Sequence, residues 1–208
     1  MIKGIIFDVD GVLINSLVAN HRFFSDLLKK FGHVFMKSEE YINVFHLPMK
    51  DVIRHSTKLT DEMEIEKIWK AGKEREVPYP HELLSAPDNL AETIEALSKI
   101  YTLGIATGRS RSAIFSVPHL QGLQKYFKAD VGYDDTQHHK PHPDPLLLAA
   151  QNLGIAPEEC VYVGDSETDI IAAKAAGMKS ILYSRNNLYN ADAYVGEFSK
   201  LIETISNL

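Results

Sequence analysis

The chain opens with MIKGIIFDVDGVLINS, residues 1–16, in which a mainly apolar run ends in two aspartates, Asp8 and Asp10, followed at once by Gly11. In an extended chain, two residues at that spacing point to the same side. Both carboxyl groups have an ordinary pKa of about 3.9 and are ionised at neutral pH. At about 4 Å and an effective dielectric constant of about 20, such charges repel each other by roughly 4 kcal/mol. The segment therefore predicts a buried strand whose carboxyl end needs a compensating positive charge.

The composition of this 208-residue chain argues against several classes of protein. Apolar residues make up 45% and charged residues 24%, which is ordinary for a globular domain. The net charge of -6 lacks the basic footprint of a nucleic-acid-binding protein, so we expect no nucleic-acid partner. The one cysteine, Cys160, cannot form an internal disulfide, which fits a reducing compartment. Asp8 breaks the N-terminal apolar run too early for a signal peptide or membrane span, so we expect a cytoplasmic protein with no membrane partner.

Five short runs rich in apolar or β-branched residues predict strands, and a sixth run is weaker. They are Lys3–Phe7, Leu103–Thr107, Ala129–Tyr133, Cys160–Gly164 and Ser180–Tyr183, with Ala193–Val195 as the weaker one. Helical patterns separate the later runs, at Leu90–Lys99, Pro143–Leu153, Thr168–Ala176 and Phe198–Ile205. Strands that alternate with helices in this way predict an α/β fold, a Rossmann-like parallel sheet covered by helices on both faces.

The first and second predicted strands are separated by far more residues than one crossover helix requires. Between them the sequence predicts four helices, with Thr60 as the N-cap of the last: Val18–Phe31, Glu39–Phe45, Met49–Leu59 and Asp61–Glu76. The segment Val77-Pro78-Tyr79-Pro80 then stops the helical pattern. We therefore expect an α/β core domain of residues 1–16 and 86–208, and an inserted all-helical domain of residues 17–85.

Residues with polar side chains, and one glycine, end or follow four of the predicted strands, at the edge where ligands of open α/β sheets bind. In strand order they are Asp8 and Asp10; Thr107, Gly108 and Arg109; Lys140; and Asp165 and Asp169. A small set of hard oxygen ligands favours Mg²⁺. We expect Gly108 and Arg109 to lie at a helix N-terminus, where their backbone N–H groups favour an anion. Carboxylates, a metal, a lysine and an anion hole together describe a phosphoryl-transfer site.

The four stretches resemble the four motifs of the haloacid dehalogenase-like hydrolase superfamily. FDVDGVL is similar to the first motif, IATGR to the threonine-bearing second, KPHPDP to the lysine-bearing third and GDSETD to the acidic fourth. A helical insertion between the first two motifs is typical of the phosphoglycolate phosphatase and β-phosphoglucomutase branch. The resemblance implies that residues 17–85 form a cap domain.

The same resemblance implies a role for each motif residue. Asp8 would be the nucleophile that forms an aspartyl-phosphate, and Asp10 would act as general acid and then as general base. Thr107 and Lys140 would complete the catalytic set. The phosphate-binding residues would be Thr107, Gly108, Arg109 and Lys140.

A Mg²⁺ site is also implied by the resemblance. Its ligand set would be Asp8, Asp10 through the main-chain carbonyl, Asp165 and Asp169, the last more as a support for the metal or Lys140. A transition-metal site at His138, His139 and His142 is disfavoured, because no cysteine partners them and their spacing matches no zinc signature. We expect these three residues to be loop histidines near Lys140.

Substrate choice in this family comes mainly from the cap, where the chain departs from the family pattern. Asn15 stands where aspartate is frequent, and His46 stands where glycine is usual. Gly108 replaces an asparagine that is common after the threonine of the second motif. The candidate substrate contacts are Asn20, His46, Lys50 and Arg54, and for each an exposed helix residue is at least as good an interpretation.

We expect a Mg²⁺-dependent phosphatase that acts on a small phosphorylated metabolite, as a monomer or homodimer. The main alternative is a β-phosphoglucomutase-like phosphoryl transfer with a cap that excludes water. A dehalogenase is disfavoured because it needs neither Asp10 nor the metal. A non-catalytic binding domain is disfavoured because every chemical position is intact.

Overall fold

The computed structural model describes residues Met1 to Leu208 and divides into two compact units. The first consists of Met1–Asn15 and Ser85–Leu208, and the second is Ser16–Leu84. The Asn15 N–H donates to the Ser85 carbonyl at 2.7 Å, and the Ser85 N–H donates to the Asn15 carbonyl at 3.2 Å. This isolated antiparallel bridge holds together the two points where the chain leaves and re-enters the first unit. The second unit therefore begins and ends one residue earlier than the expected helical domain of residues 17–85.

The first unit contains a six-stranded parallel sheet. Its strands are β1 (Gly4–Phe7), β2 (Thr102–Ala106), β3 (Phe127–Val131), β4 (Cys160–Gly164), β5 (Lys179–Tyr183) and β6 (Ala193–Val195). Their order across the sheet is β3-β2-β1-β4-β5-β6, and every neighbouring pair is parallel. The predicted Rossmann-like α/β fold is confirmed. In this order the direction of the crossovers reverses at β1, so the carboxyl ends of β1 and β4 flank the switch point where ligands bind.

Eight α-helices accompany the sheet. The second unit holds α1 (Leu17–Lys30), α2 (Ser38–Tyr41), α3 (Met49–Thr57) and α4 (Glu62–Lys73), and the first holds α5 (Leu90–Ser98), α6 (Asp144–Leu153), α7 (Glu167–Ala175) and α8 (Leu201–Ser206). None of these helices has the length and apolar character that a membrane crossing requires.

Helices cover both faces of the sheet at its centre. Ile6 of β1 and Tyr162 of β4 belong to one buried cluster with apolar residues of α6 and α7. Phe7, the next residue of β1, instead contacts Phe198 just before α8, with ring centroids 6.2 Å apart. Successive strand residues point to opposite faces. The central strands are therefore buried on both sides, which is why they read as continuous apolar runs.

The second unit has an apolar core of its own. Fully buried side chains from α1, α3 and α4 form its centre: Leu27, Leu28, Ile53, Ile65 and Ile68. Tyr41 of α2 packs edge-on against Phe24 and Phe35, with ring centroids 5.9 Å and 5.3 Å apart. The Tyr79 hydroxyl donates to Asn20 Oδ1 at 2.5 Å and ties the segment after α4 back to α1.

The predicted N-cap of α4 is wrong by one residue. Asp61, and not Thr60, is the cap, because Asp61 Oδ1 accepts a hydrogen bond from the Met63 N–H at 2.9 Å. A carboxylate next to the helix N-terminus also interacts favourably with the helix dipole, which the neutral hydroxyl of Thr60 does not do.

The expected helix N-terminus at Gly108 and Arg109 is also wrong. After β2 the chain forms only three-residue 3₁₀ helices, Arg111–Ala113, Pro118–Leu120 and Gln124–Tyr126. Pro118 has no N–H to donate, and Gly122 adopts a φ of +83°. Both features prevent a regular helix at residues 118–122, and the residues before them form only a single 3₁₀ turn, so no helix dipole contributes at Gly108 and Arg109.

We predict that Leu146→Ala lowers the free energy of unfolding by about 2–5 kcal/mol, because the deleted side chain is fully buried in the cluster between α6 and the sheet. Leu147, the next residue of α6, is 37% exposed and gives a matched control. Leu147→Ala should cost less than about 1 kcal/mol. Urea denaturation followed by circular dichroism measures both changes, and equal losses would contradict the packing of α6 on the sheet.

Candidate active site

The carboxyl ends of β3, β2, β1 and β4 bring the polar motif residues together. Asp8 directly follows β1, and its N–H donates to the Val163 carbonyl of β4 at 2.9 Å. Thr107 directly follows β2, and its N–H donates to the Val131 carbonyl of β3 at 3.0 Å. Asp165 directly follows β4. The side chains of these residues therefore emerge at one edge of the sheet.

Lys140 enters the site from the loop after β3. Its Nζ donates to Asp8 Oδ2 at 2.8 Å, to Asp169 Oδ1 at 2.7 Å and to the Tyr162 hydroxyl at 2.9 Å. The Lys140 side chain is only 12% exposed. Burial opposes its charge, but Asp169 and Asp8 outweigh that effect and raise the pKa of Lys140 well above its ordinary value. Lys140 is therefore a fixed cation between two carboxylates.

Asp169 is fully buried and accepts hydrogen bonds at both carboxylate oxygens. Oδ1 accepts from Lys140 and, at 3.3 Å, from the Tyr162 hydroxyl. Oδ2 accepts from the N–H groups of Asp165 and Ser166, both at 3.1 Å, and from Ser166 Oγ at 2.7 Å. Burial raises the pKa of Asp169, but Lys140 and Ser166 outweigh burial and hold that pKa below its ordinary value. With both oxygens occupied, Asp169 is better placed to hold Lys140 than to bind a metal.

The ionised forms of Asp8 and Asp165 are less well stabilised by their neighbours than that of Asp169. Burial raises the pKa of Asp8 to about 6, with Lys140 opposing the rise and Asp169 adding to it. Asp8 Oδ1 also accepts from the Val9 N–H at 2.7 Å. Burial, together with Asp169 and Asp8, raises the pKa of Asp165 well above its ordinary value. In both residues the ionised form is disfavoured, and a bound cation would stabilise it.

The residues around Asp165 fit a small, hard cation. One carboxylate oxygen from each of Asp8, Asp165 and Asp169 lies within 4.8 Å of the other two. Gly11 adopts a φ of +80°, and a Cβ there would lie 1.9 Å from Asp165 Oδ2. A Cβ at Gly164 would lie 2.3 Å from Asp169 Cβ. The glycines therefore leave room for an all-oxygen donor set of the kind that divalent cations such as Mg²⁺ prefer.

The loop after β2 presents a buried hydroxyl and an open space. Thr107 is buried, and its Oγ1 accepts a hydrogen bond from the Arg109 N–H at 3.3 Å. That N–H, which was expected to bind an anion, is thus bonded within the loop. A Cβ at Gly108 would meet nothing within 4 Å. The Thr107 hydroxyl keeps its own proton available to a ligand at this position.

The side chain of Arg109 makes a contact that sequence reasoning missed. Arg109 Nε donates to Asp10 Oδ2 at 2.6 Å, and Arg109 Nη2 donates to Asp10 Oδ1 at 2.7 Å. The two side chains are 12% and 22% exposed, so the pair is largely removed from water. Its partners are 99 positions apart in sequence. The one available signal was the position of Arg109 in a loop that already carried Thr107.

The loop histidines make close polar contacts with a carboxylate and one stacking contact. His138 Nδ1 lies 2.9 Å from Asp144 Oδ2, and His142 Nδ1 lies 3.0 Å from Asp144 Oδ1. The ligand atoms of these three residues lie within 4.8 Å of one another, so Asp144 adds a third donor that the histidine spacing did not reveal. His139 stacks on Tyr133 with ring centroids 3.8 Å apart. These contacts hold the loop that carries the lysine motif.

The four candidate substrate residues all lie in the second unit. His46 is exposed. The other three are bonded inside that unit: Lys50 to Glu66 at 2.5 Å, Arg54 to Asp51 at 2.8 Å, and Asn20 to Tyr79 at 2.5 Å. The ion pairs of Lys50 and Arg54 are those expected of residues on a charged helix surface. A role of any of the four in binding substrate stays a prediction.

Comparison with known proteins places this geometry in a family. A family model described as haloacid dehalogenase-like hydrolase matches residues 5–183. Pyrophosphatase PpaX of Bacillus cereus (strain AH820) is 30% identical over 216 residues, which cover 100% of this chain and 98% of that protein. Phosphoglycolate phosphatase of Escherichia coli (strain K12) is 38% identical over 136 residues, which cover 65% of this chain and 49% of that protein.

A solved structure shows the same fold along nearly the whole chain. A variant of CbbY from Rhodobacter sphaeroides, in complex with xylulose-(1,5)-bisphosphate, matches with a TM-score of 0.80 and 25% identity, covering 97% of this chain and 96% of that one. The resemblance predicted from the four motifs is confirmed. This chain is a hydrolase that belongs to the haloacid dehalogenase-like family.

Proposed function

We propose that this chain is a Mg²⁺-dependent phosphatase that hydrolyses small phosphate monoesters through an aspartyl-phosphate on Asp8. The observation that carries this proposal is the pairing of Asp8 with Lys140 beside Asp165, a largely buried carboxylate for which a cation would be the natural partner. A relative named phosphoglycolate phosphatase supports monoester hydrolysis, and one named pyrophosphatase supports hydrolytic phosphoryl transfer more generally.

In the first half of the reaction, a carboxylate oxygen of Asp8 forms a bond to phosphorus as the bond from phosphorus to the leaving-group oxygen breaks. Asp10 donates a proton to that oxygen, which departs as an alcohol. Lys140 remains beside Asp8 and offsets the charge of the entering phosphate. The buried hydroxyl of Thr107 donates to a phosphate oxygen.

In the second half, water attacks the phosphorus of the aspartyl-phosphate, and Asp10 takes a proton from that water. Asp8 leaves as a carboxylate and inorganic phosphate is released, so one water is consumed per turnover. Asp8, Asp165 and the main-chain carbonyl of Asp10 would hold Mg²⁺, which would supply positive charge to offset that of the phosphate.

The names of the similar proteins support one substrate class. Pyrophosphate, phosphoglycolate and xylulose-(1,5)-bisphosphate each carry a second anionic group besides the phosphoryl group. We extend this class to the present chain, as a small phosphorylated metabolite whose leaving group carries a carboxylate or a second phosphate. The helical unit would act as a cap that admits it, with Asn20, His46, Lys50 and Arg54 as candidate contacts.

We predict that Asp8→Asn lowers kcat by about 10⁴-fold or more, because an amide cannot form the aspartyl-phosphate. The assay is phosphate release from p-nitrophenyl phosphate and a panel of phosphorylated metabolites, with Mg²⁺ and with EDTA. Circular dichroism should show that the variant is folded, since Lys140 keeps Asp169 as a partner. Turnover by the Asp8→Asn protein would rule out the mechanism, and wild-type turnover in EDTA would rule out the metal requirement.

We predict that Asp165→Asn removes the stabilisation of the protein by Mg²⁺. At a Mg²⁺ concentration of about 100 times Kd, binding to the native state adds about 2.7 kcal/mol of stability, which raises Tm. Glu167 lies two residues further on, is exposed, and gives a matched control. Glu167→Gln should keep the full rise in Tm. A rise that survives in Asp165→Asn would show that the cation binds elsewhere.

We predict that Asp10→Asn affects alkyl phosphates more than aryl phosphates. Loss of a general acid costs about 10²–10⁴-fold when the leaving group is a poor one, such as an alkoxide. The p-nitrophenolate ion departs without protonation, so its release should fall much less. Steady-state kinetics on 3-phosphoglycerate and p-nitrophenyl phosphate measure the difference, and equal losses on both would contradict the acid role of Asp10.

A further inference from the structure

Asp10 and Arg109 form a two-pronged ion pair inside the site. The guanidinium donates from Nε and Nη2 to the two different oxygens of one carboxylate, at 2.6 Å and 2.7 Å. This side-by-side geometry is the strongest form of the arginine–carboxylate interaction. Because both side chains are mostly buried, solvent weakens it little.

The backbone of Arg109 is held in place around that pair. Its carbonyl accepts a hydrogen bond from the Tyr133 N–H at 2.7 Å, and its N–H donates to Thr107 Oγ1 at 3.3 Å. A Cβ at Gly132 would lie 2.8 Å from the same carbonyl, so the two loops are closely packed. The side chain of Arg109 is therefore the part of the residue that can change partner.

The ion pair is incompatible with the proposed role of Asp10 as general acid and base. In the proposed mechanism, one oxygen of Asp10 must face the leaving-group oxygen, yet both are bonded to Arg109. Opening the pair without a replacement would leave a guanidinium largely out of water and without its carboxylate, which is costly. A leaving group that brings its own anion offers that replacement.

We propose that Arg109 is a specificity-determining residue that exchanges Asp10 for the second anionic group of the substrate. A carboxylate or phosphate on the leaving group takes over the guanidinium, and the released Asp10 carboxylate takes up a proton from solvent, which it then donates to the leaving-group oxygen. Carboxylate and phosphate both match the planar fork of donors that arginine presents. This inference rests on the proposed phosphatase function and assigns a core residue, outside the helical unit, to substrate choice.

The exchange links substrate choice to the chemical step. An anionic leaving group replaces one ion pair by another, so the buried guanidinium of Arg109 always has a partner of opposite charge. A neutral leaving group offers no such partner, and Asp10 stays bound to Arg109. Discrimination of this kind acts on kcat as well as on KM, because it decides whether the acid is available in the transition state.

The test compares substrates that differ only in the second anion. Phosphoglycolate is paired with 2-hydroxyethyl phosphate, and 3-phosphoglycerate is paired with glycerol 1-phosphate. We expect the wild-type enzyme to prefer the anionic member of at least one pair by about 10-fold to 100-fold in kcat/KM, the range expected for a hydrogen-bonded charge. Mg²⁺-dependent hydrolysis of p-nitrophenyl phosphate is measured in parallel as the test of the proposed function itself.

Three variants locate the origin of the preference. Arg109→Ala should remove most of the preference, and Arg109→Lys should retain part of it, because lysine restores the charge but not the fork. Arg111, two residues further on, is 57% exposed and pairs with Asp130 at 3.0 Å. Arg111→Ala is therefore the matched control and should leave the preference unchanged. A merely structural role of Arg109 would lower both members of a pair equally.

The outcomes separate this inference from the function on which it rests. Turnover of p-nitrophenyl phosphate with no anion preference in either pair would overturn the role of Arg109 alone. An unchanged preference in Arg109→Ala would do the same. Absence of any Mg²⁺-dependent turnover would instead overturn the proposed function, and the role of Arg109 with it.

Discussion

Lys140 lies between Asp8 and Asp169 at the carboxyl edge of the sheet, and the rest of the site depends on this contact. A buried environment strengthens both attraction and repulsion between charges, so the two carboxylates can lie close together only with a cation between them. Asp169, in the first turn of α7, is in turn held by the N–H and the hydroxyl of Ser166, the N-cap of that helix. One network thus links β1, the loop after β3 and α7, and it sets the position of the proposed nucleophile.

The balance of charge explains why the site suits a metal. Four carboxylates meet at this edge, those of Asp8, Asp10, Asp165 and Asp169, and Lys140 and Arg109 supply the opposing charges. Four negative and two positive groups leave two negative charges, which one divalent cation would balance. The pKa values of Asp8, raised to about 6, and of Asp165, also raised, show which carboxylates are least stabilised in their ionised form without that cation.

Much of this arrangement could be predicted from the sequence because buried parallel strands read as apolar runs, and the residues that end them meet at one edge. The helix expected after β2 could not be excluded in that way, since short 3₁₀ turns leave no periodic pattern. The N-cap of α4 is Asp61 instead of Thr60, and a helix boundary cannot be placed to within one residue from a sequence pattern. The contact of Arg109 with Asp10 depends on where a flexible side chain turns, across 99 positions of sequence.

The most direct test of the central claim, that Asp8 carries the phosphoryl group during turnover, is a covalent adduct measurement. The enzyme is mixed with p-nitrophenyl phosphate and Mg²⁺, quenched in acid within the first turnovers, and analysed by intact-mass and peptide mass spectrometry. We expect a phosphoryl adduct on the peptide that contains Asp8, and no adduct in EDTA. Turnover with an adduct on a different residue, or with none in the first turnovers, would contradict the claim.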